Sequence, residues 1–166
     1  MKLKELKCID KNIDLDQYIE FRETVRKNME HPDWLGSFSK EDLITMLNNN
    51  SKIWIFYLND DPVCSTMIIP ASEKSLAKFD LNLDCCEVVD YGPIFVNPKY
   101  TGHRLQYQML QKQDEYCKKI GYKYAVTTIH PDNLFSINNF IKDGFLLKDT
   151  KEFKRGIRNI YFKELT

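Results

Sequence analysis

The feature that most constrains this chain is a strand-like run ending Val96-Asn97-Pro98. It leads through Lys99-Tyr100-Thr101-Gly102-His103-Arg104 into an amphipathic helix. Leu105, Met109, Tyr116, Cys117 and Ile120 recur at helical spacing, and Gly121 stops a helix expected over about residues 102–120. A strand that ends at a helix N-terminus brings unpaired N–H groups and the positive end of the helix dipole to one spot. Such a spot holds a phosphate well. Further along, Asn133 introduces a second, short helix over 134–142, which is followed by Gly144-Phe145.

Around this unit the chain reads as alternating strands and helices. Residues 2–9 read as an edge strand, and Asp14 or Asp16 caps a helix carrying Leu15, Tyr18, Ile19 and Val25. His31-Pro32-Asp33-Trp34-Leu35-Gly36 breaks it, and Ser39 caps a second helix with Leu43, Met46 and Leu47 on one face. Residues 53–58 and 63–69 form a hairpin about the turn Asn59-Asp60-Asp61-Pro62, and a short helical turn is expected near 76–79. Strands follow over 87–96, 124–129, 145–147 and 157–162. The order β-α-α-β-β-β-α-β-α-β-β predicts one α/β (α+β) domain over residues 1–166.

Composition excludes several classes of partner. The 24 basic and 24 acidic side chains cancel and form no block, which argues against nucleic acid or an anionic membrane as the partner. No apolar run approaches the ~20 residues a membrane helix needs, and residues 1–5 do not resemble a leader. Five cysteines without CxxC spacing suggest neither a disulfide framework nor zinc, and no histidine pair has metal-ligand spacing. Reduced thiols in a cytoplasmic protein, with no metal, are expected. Cys85 and Cys86 would point to opposite faces of a strand.

The segment from Val96 to Gln106, with the later His130-Pro131-Asp132-Asn133 and Gly144-Phe145, resembles the GNAT superfamily of N-acetyltransferases. The family's phosphate loop reads R/Q-x-x-G-x-G/A behind a strand ending V-x-P. Thr101 stands at the Arg/Gln position, Gly102 at the following glycine, Arg104 at the second glycine and Gln106 at the terminal Gly/Ala. The second family pattern, N-x-x-A/S-x-x-x-Y-x-x-x-G-F, is met by Asn133, Ser136, Gly144 and Phe145, but Phe140 replaces its tyrosine. The resemblance implies a mixed, mostly antiparallel sheet flanked by helices. It further implies acetyl-CoA held by Ile94, Val96, Thr101, Gly102, His103, Arg104, Leu105, Gln106, Asn133, Ser136 and Asn139. Arg104 has two readings. A helical backbone there would let its N–H and guanidinium both meet phosphate. A backbone needing φ > 0 or close approach would instead set the arginine against the cofactor. The helical reading is the expectation.

The chemistry implied is acetyl transfer to a primary amine by direct attack. An alkyl ammonium with a pKa of roughly 10 must lose a proton first, and a buried carboxylate with a raised pKa suits that task. Asp90 is the candidate base, with Glu87 and Tyr91 as lesser ones. Phe140 cannot protonate a departing thiolate, so Tyr107 or Ser136 would have to replace that donor. His31 borders the region that walls the acceptor pocket in relatives, and His130 reads as structural. Trp34, Leu35, Phe38 and Tyr57 form either an aromatic acceptor pocket or a satellite core. The acceptor is expected to be a small-molecule or peptide amine, and a homodimer is compatible with the resemblance. The competing function is a catalytically weak or inactive module on the same fold that binds CoA or another small ligand.

Overall fold

The computed structural model describes residues 1–166. The strands are β1 (Lys7–Ile9), β2 (Lys52–Leu58), β3 (Asp61–Pro70), β4 (Val88–Tyr91), β5 (Phe95–Val96), β6 (Tyr124–Ile129), β7 (Leu146–Phe153) and β8 (Gly156–Glu164). The helices are α1 (Leu15–Lys27), α2 (Lys40–Asn48), α3 (Glu73–Lys78), α4 (Leu105–Ile120) and α5 (Leu134–Lys142). One sheet runs β1-β2-β3-β4-β6-β8-β7, with β5 also on β3. Every pairing is antiparallel except β4 with β6, so the mixed, mostly antiparallel sheet flanked by helices is as expected.

Both faces of the sheet are covered, and the strand sequences show why. On β2, Trp54 and Phe56 pack toward Leu105, Met109 and Leu110 of α4. Ile53 and Ile55 face Tyr18, Phe21 and Leu43 of α1 and α2. A strand buried on both sides needs apolar residues at every position, which the Ile53-Trp54-Ile55-Phe56 run supplies. A third cluster places Leu76 and Phe79 over Val88, Val126 and Ile160.

Several boundaries differ from the sequence expectation. Residues Leu3–Glu5 form a 3-10 turn, so the first strand is confined to Lys7–Ile9. Cys85 and Cys86 lie in a 3-10 turn capped by Asp84, not on a strand. β7 extends through the polar run Lys148-Asp149-Thr150-Lys151-Glu152. It is the sheet's edge, where charged side chains discourage further pairing, so its sequence lacks strand periodicity.

The expected strand over 87–96 is split in two. Ile68 faces Tyr91 and Ser65 faces Phe95, so Met67 and Thr66 stand against Gly92, Pro93 and Ile94. The extra residue is a β-bulge, and it bends the strand. Proline fits there because it has no N–H to give the ladder. Gly92 fits because a Cβ would lie 3.0 Å from the Ile69 side chain. β4 pairs with β6 only over residues 88–90, and past the bulge β5 stays on β3 alone. The sheet therefore opens between β5 and β6.

Candidate active site

The opening is a cleft of about 580 Å³. One wall is the bulge strand, residues 90–96, and the other is Thr127, Thr128 and Ile129 of β6 with Asn133, Ser136 and Asn139 of α5. Its floor is the N-terminus of α4, and Trp34, Leu35 and Phe38 close its mouth.

The floor is rich in free donors. The cap Arg104 makes no side-chain capping bond, and the first ladder bond of α4 is Gln108 N–H to Arg104 O at 3.0 Å. The N–H groups of residues 101–107 therefore donate to no protein acceptor, and they sit at the positive end of a 16-residue helix. Gly102 has φ +88° with open space where a Cβ would be, so the turn itself selects glycine. Arg104 has φ +57° and ψ +30°, which corrects the expectation of right-handed helical backbone. The position where the family places glycine does require positive φ, and arginine adopts it at a cost of roughly 1 kcal/mol. Its exposed side chain still borders the cleft, and its N–H joins the free row. The loop is anchored below by Asn97 Nδ2, donating to Pro62 O at 2.9 Å, and by Tyr100 Oη, donating to Asp61 at 2.5 Å.

A polar bridge ties α4 to α5. Buried Gln106 donates to Ser136 Oγ at 3.0 Å and accepts from Asn139 Nδ2 at 2.7 Å. Asn133 Oδ1 caps α5 by accepting from Ser136 N at 3.4 Å, which leaves its amide nitrogen uncommitted. On the opposite wall, Asn97 N–H donates to Val63 O at 2.7 Å. Antiparallel alternation then turns the N–H of Val96 away from β3 and into the opening. Ile94 N–H likewise has no protein acceptor.

Asp90 lies on the wall nearest the mouth. Its carboxylate makes no hydrogen bond or ion pair with protein. Burial pushes its pKa up to about 7, opposed by the charge of Lys78. Glu87 is paired with Lys123 at 2.8 Å and Tyr91 Oη donates to Asp114 at 2.6 Å, so neither competes as base. Phe140 is core, packed edge-on to Phe145 at 5.1 Å. Tyr107 does not line the cleft, whereas Ser136 does.

Thus the cleft brings together Asp90, Ile94, Val96, Thr101, Gly102, Arg104, Leu105, Gln106, Asn133, Ser136 and Asn139. His103 stands outside it, because its ring is drawn to the chain's N-terminus, with Nδ1 3.5 Å from Met1 N. Trp34, Leu35 and Phe38 line the cleft and Tyr57 does not. Trp34 is stacked between His31 at 4.2 Å and His130 at 5.1 Å, so all three form one pillar at the mouth. Sequence reading missed Arg155 and Arg158, which line the same mouth. The only signal was a cation set among Ile157, Ile160, Tyr161 and Phe162 of the last strand.

No family model and no curated relative matches this sequence. Solved structures do. A Staphylococcus epidermidis probable acetyltransferase superposes with a TM-score of 0.73 at 17% identity, over 97% of this chain and 98% of that one. A Staphylococcus aureus N-acetyltransferase gives 0.70 at 16%, over 96% and 99%. A Bacillus subtilis acetyltransferase in complex with CoA gives 0.68 at 10%, over 97% and 99%. Across nearly its whole length, this chain has the fold of the GNAT-family acetyltransferases.

Proposed function

We propose that this protein is an N-acetyltransferase that moves an acetyl group from acetyl-CoA directly to a primary amine. The observation that carries the reading is the row of acceptor-less N–H groups over residues 101–107, opposite a wall bearing Asp90. Bound acetyl-CoA would supply an acetyl thioester. The loop N–H groups and Arg104 would hold its phosphates, and Asn133 and Asn139 would hold the arm that leads into the cleft. Val96 N–H would donate to the thioester carbonyl oxygen as charge develops there. Asp90, titrating near neutrality, would take the proton from the acceptor's ammonium. Ser136 Oγ accepts from Gln106, so its own proton is free to be donated toward the departing sulfur. The enzyme would act on a small-molecule or peptide amine in the cytoplasm, where its five free cysteines would stay reduced.

Titration calorimetry with acetyl-CoA tests the loop, and thiol release across an amine panel tests the chemistry. Binding together with amine-dependent thiol release is the expected result. Binding without release would instead favour a CoA-binding regulatory module, consistent with Phe140 in place of a proton donor. No binding at millimolar acetyl-CoA overturns both.

A further inference from the structure

The acceptor mouth contains a cation that the protein leaves without a counter-charge. Arg158 is only 4% exposed, yet no carboxylate lies within ion-pair distance of it. Its guanidinium donates to two backbone carbonyls, Ile157 O at 2.8 Å and Asp33 O at 3.1 Å. A guanidinium carries five N–H groups, so most of its donor capacity is left over. Arg155 donates to the same Asp33 O at 2.8 Å and packs over Gly36, whose absent Cβ would sit 3.2 Å from Arg155 Nη1. Desolvation, then the like charges of Arg158 and Arg26, lower the Arg155 pKa. Asp33 offers these arginines its backbone oxygen, not a bonded carboxylate.

Burying a charge without a partner is costly, and proteins normally neutralise such groups. Here the neutral carbonyls orient the guanidinium fork and leave its charge for something that enters the cleft. The fork matches a carboxylate in two parallel hydrogen bonds. Arg158 and Asp90 share one face of the sheet and line one cleft, so the base that takes the amine's proton and the cation that attracts an anion serve one molecule. The aromatic walls Trp34 and Phe38 stand beside them.

We infer that the acceptor is an amine that also carries a carboxylate, held by Arg158 with support from Arg155. This deepens the acetyltransferase reading and rests on it for the amine, but recognition of the carboxylate is testable by itself. The probes are paired amines differing in one carboxylate: lysine against cadaverine, and phenylalanine against phenethylamine, with phosphoethanolamine against ethanolamine as the phosphate arm. With the full chain and saturating acetyl-CoA, the acids should react with kcat/KM at least tenfold above their decarboxylated partners. Arg158→Gln should raise KM for the acids about tenfold, consistent with one lost charged contact. It should leave kcat, the decarboxylated amines and acetyl-CoA affinity unchanged. Arg158→Lys, which keeps charge but not the fork, should fall between. The exposed Arg155→Gln provides a second variant, with a smaller rise in KM, should Arg158→Gln fail to fold. Equal use of acids and decarboxylated amines overturns the inference, as does a phosphate preference over carboxylate. If acetyl-CoA is not bound, the acetyltransferase reading fails. Calorimetric binding of the acids themselves, lost in Arg158→Gln, then upholds the inference, and its absence in the wild type overturns it.

Discussion

Two cations on strand β8, Lys163 and Arg158, point to opposite faces of the sheet and are treated in opposite ways. Lys163 reaches Asp114 Oδ2 at 2.5 Å and Asp143 Oδ2 at 3.2 Å, and it also donates to Asp143 O. Tyr91 completes this network through its bond to Asp114, joining β4, α4, β8 and the end of α5. Arg158 meets only carbonyls. Both are sequestered, so solvent does not explain the difference. A charge whose partners come from the chain belongs to the scaffold, and a charge whose partners do not belongs to the site.

The comparison fails if the two residues contribute alike to stability. Lys163→Met leaves Asp114 and Asp143 buried against each other and should cost about 3–5 kcal/mol in urea unfolding. Arg158→Met strands no carboxylate and should cost under about 1 kcal/mol, because only hydrogen bonds to carbonyls are lost. A loss at Arg158 equal to that at Lys163 would make it scaffold too. The acid limb sharpens the contrast. Burial, then the neighbouring Asp114, raises the Asp143 pKa to about 7, so the Lys163→Met penalty should shrink as pH falls below 7.

Asp90 supplies the next effect in size. Asp90→Asn should lower kcat/KM by ~10²-fold or more while leaving acetyl-CoA affinity intact. Wild-type kcat/KM should climb through about pH 7 as the carboxylate ionises, and the variant should lack that limb. Unchanged turnover in Asp90→Asn would remove it as the base. Stability moves the other way. The folded pKa lies above the unfolded value of about 4, so between these values unfolding releases a proton and stability falls as pH rises. Asp90→Asn should therefore melt higher than wild type at pH 8, by an amount that vanishes below about pH 4. A variant that melts no higher at pH 8 would mean that ionised Asp90 is not a cost to the fold.

The smallest effect concerns a third cation. Arg104→Gly relieves the left-handed backbone and should stabilise the fold by up to about 1 kcal/mol. The same change removes a charge beside the free N–H row, so acetyl-CoA should bind a few-fold more weakly in calorimetry. Tighter binding would mean that the guanidinium obstructs the loop.

Much of this was legible in the chain. The Pro98 and Gly102 punctuation, the apolar spacing of α4 and the Asn133 cap locate the cleft floor without coordinates, because each is a local backbone requirement. Ser39 caps its helix as read, accepting from Asp42 N at 3.1 Å, and of the two candidates Asp14 and Asp16 it is Asp14 that caps the first, accepting from Gln17 N at 3.2 Å. The conformation of Arg104 was not legible, since a single side chain does not disclose which cap residue turns left-handed. Gly92-Pro93 inside a strand run was a readable sign of the bulge, but only the register shows that it opens the sheet. Arg158 was least accessible. Its meaning depends on carbonyls from residues 33 and 157 and on the carboxylates that are missing, and neither has a sequence spacing.

The stacked pillar at the mouth has an experimental use. The chain has two tryptophans: Trp54 lies deep in the core, while Trp34 is partly exposed between two imidazoles. Emission from Trp54 should be a steady background, while that from Trp34 should respond to whatever enters beside it. The protein thus carries its own optical gauge of cleft occupancy, readable without label or turnover.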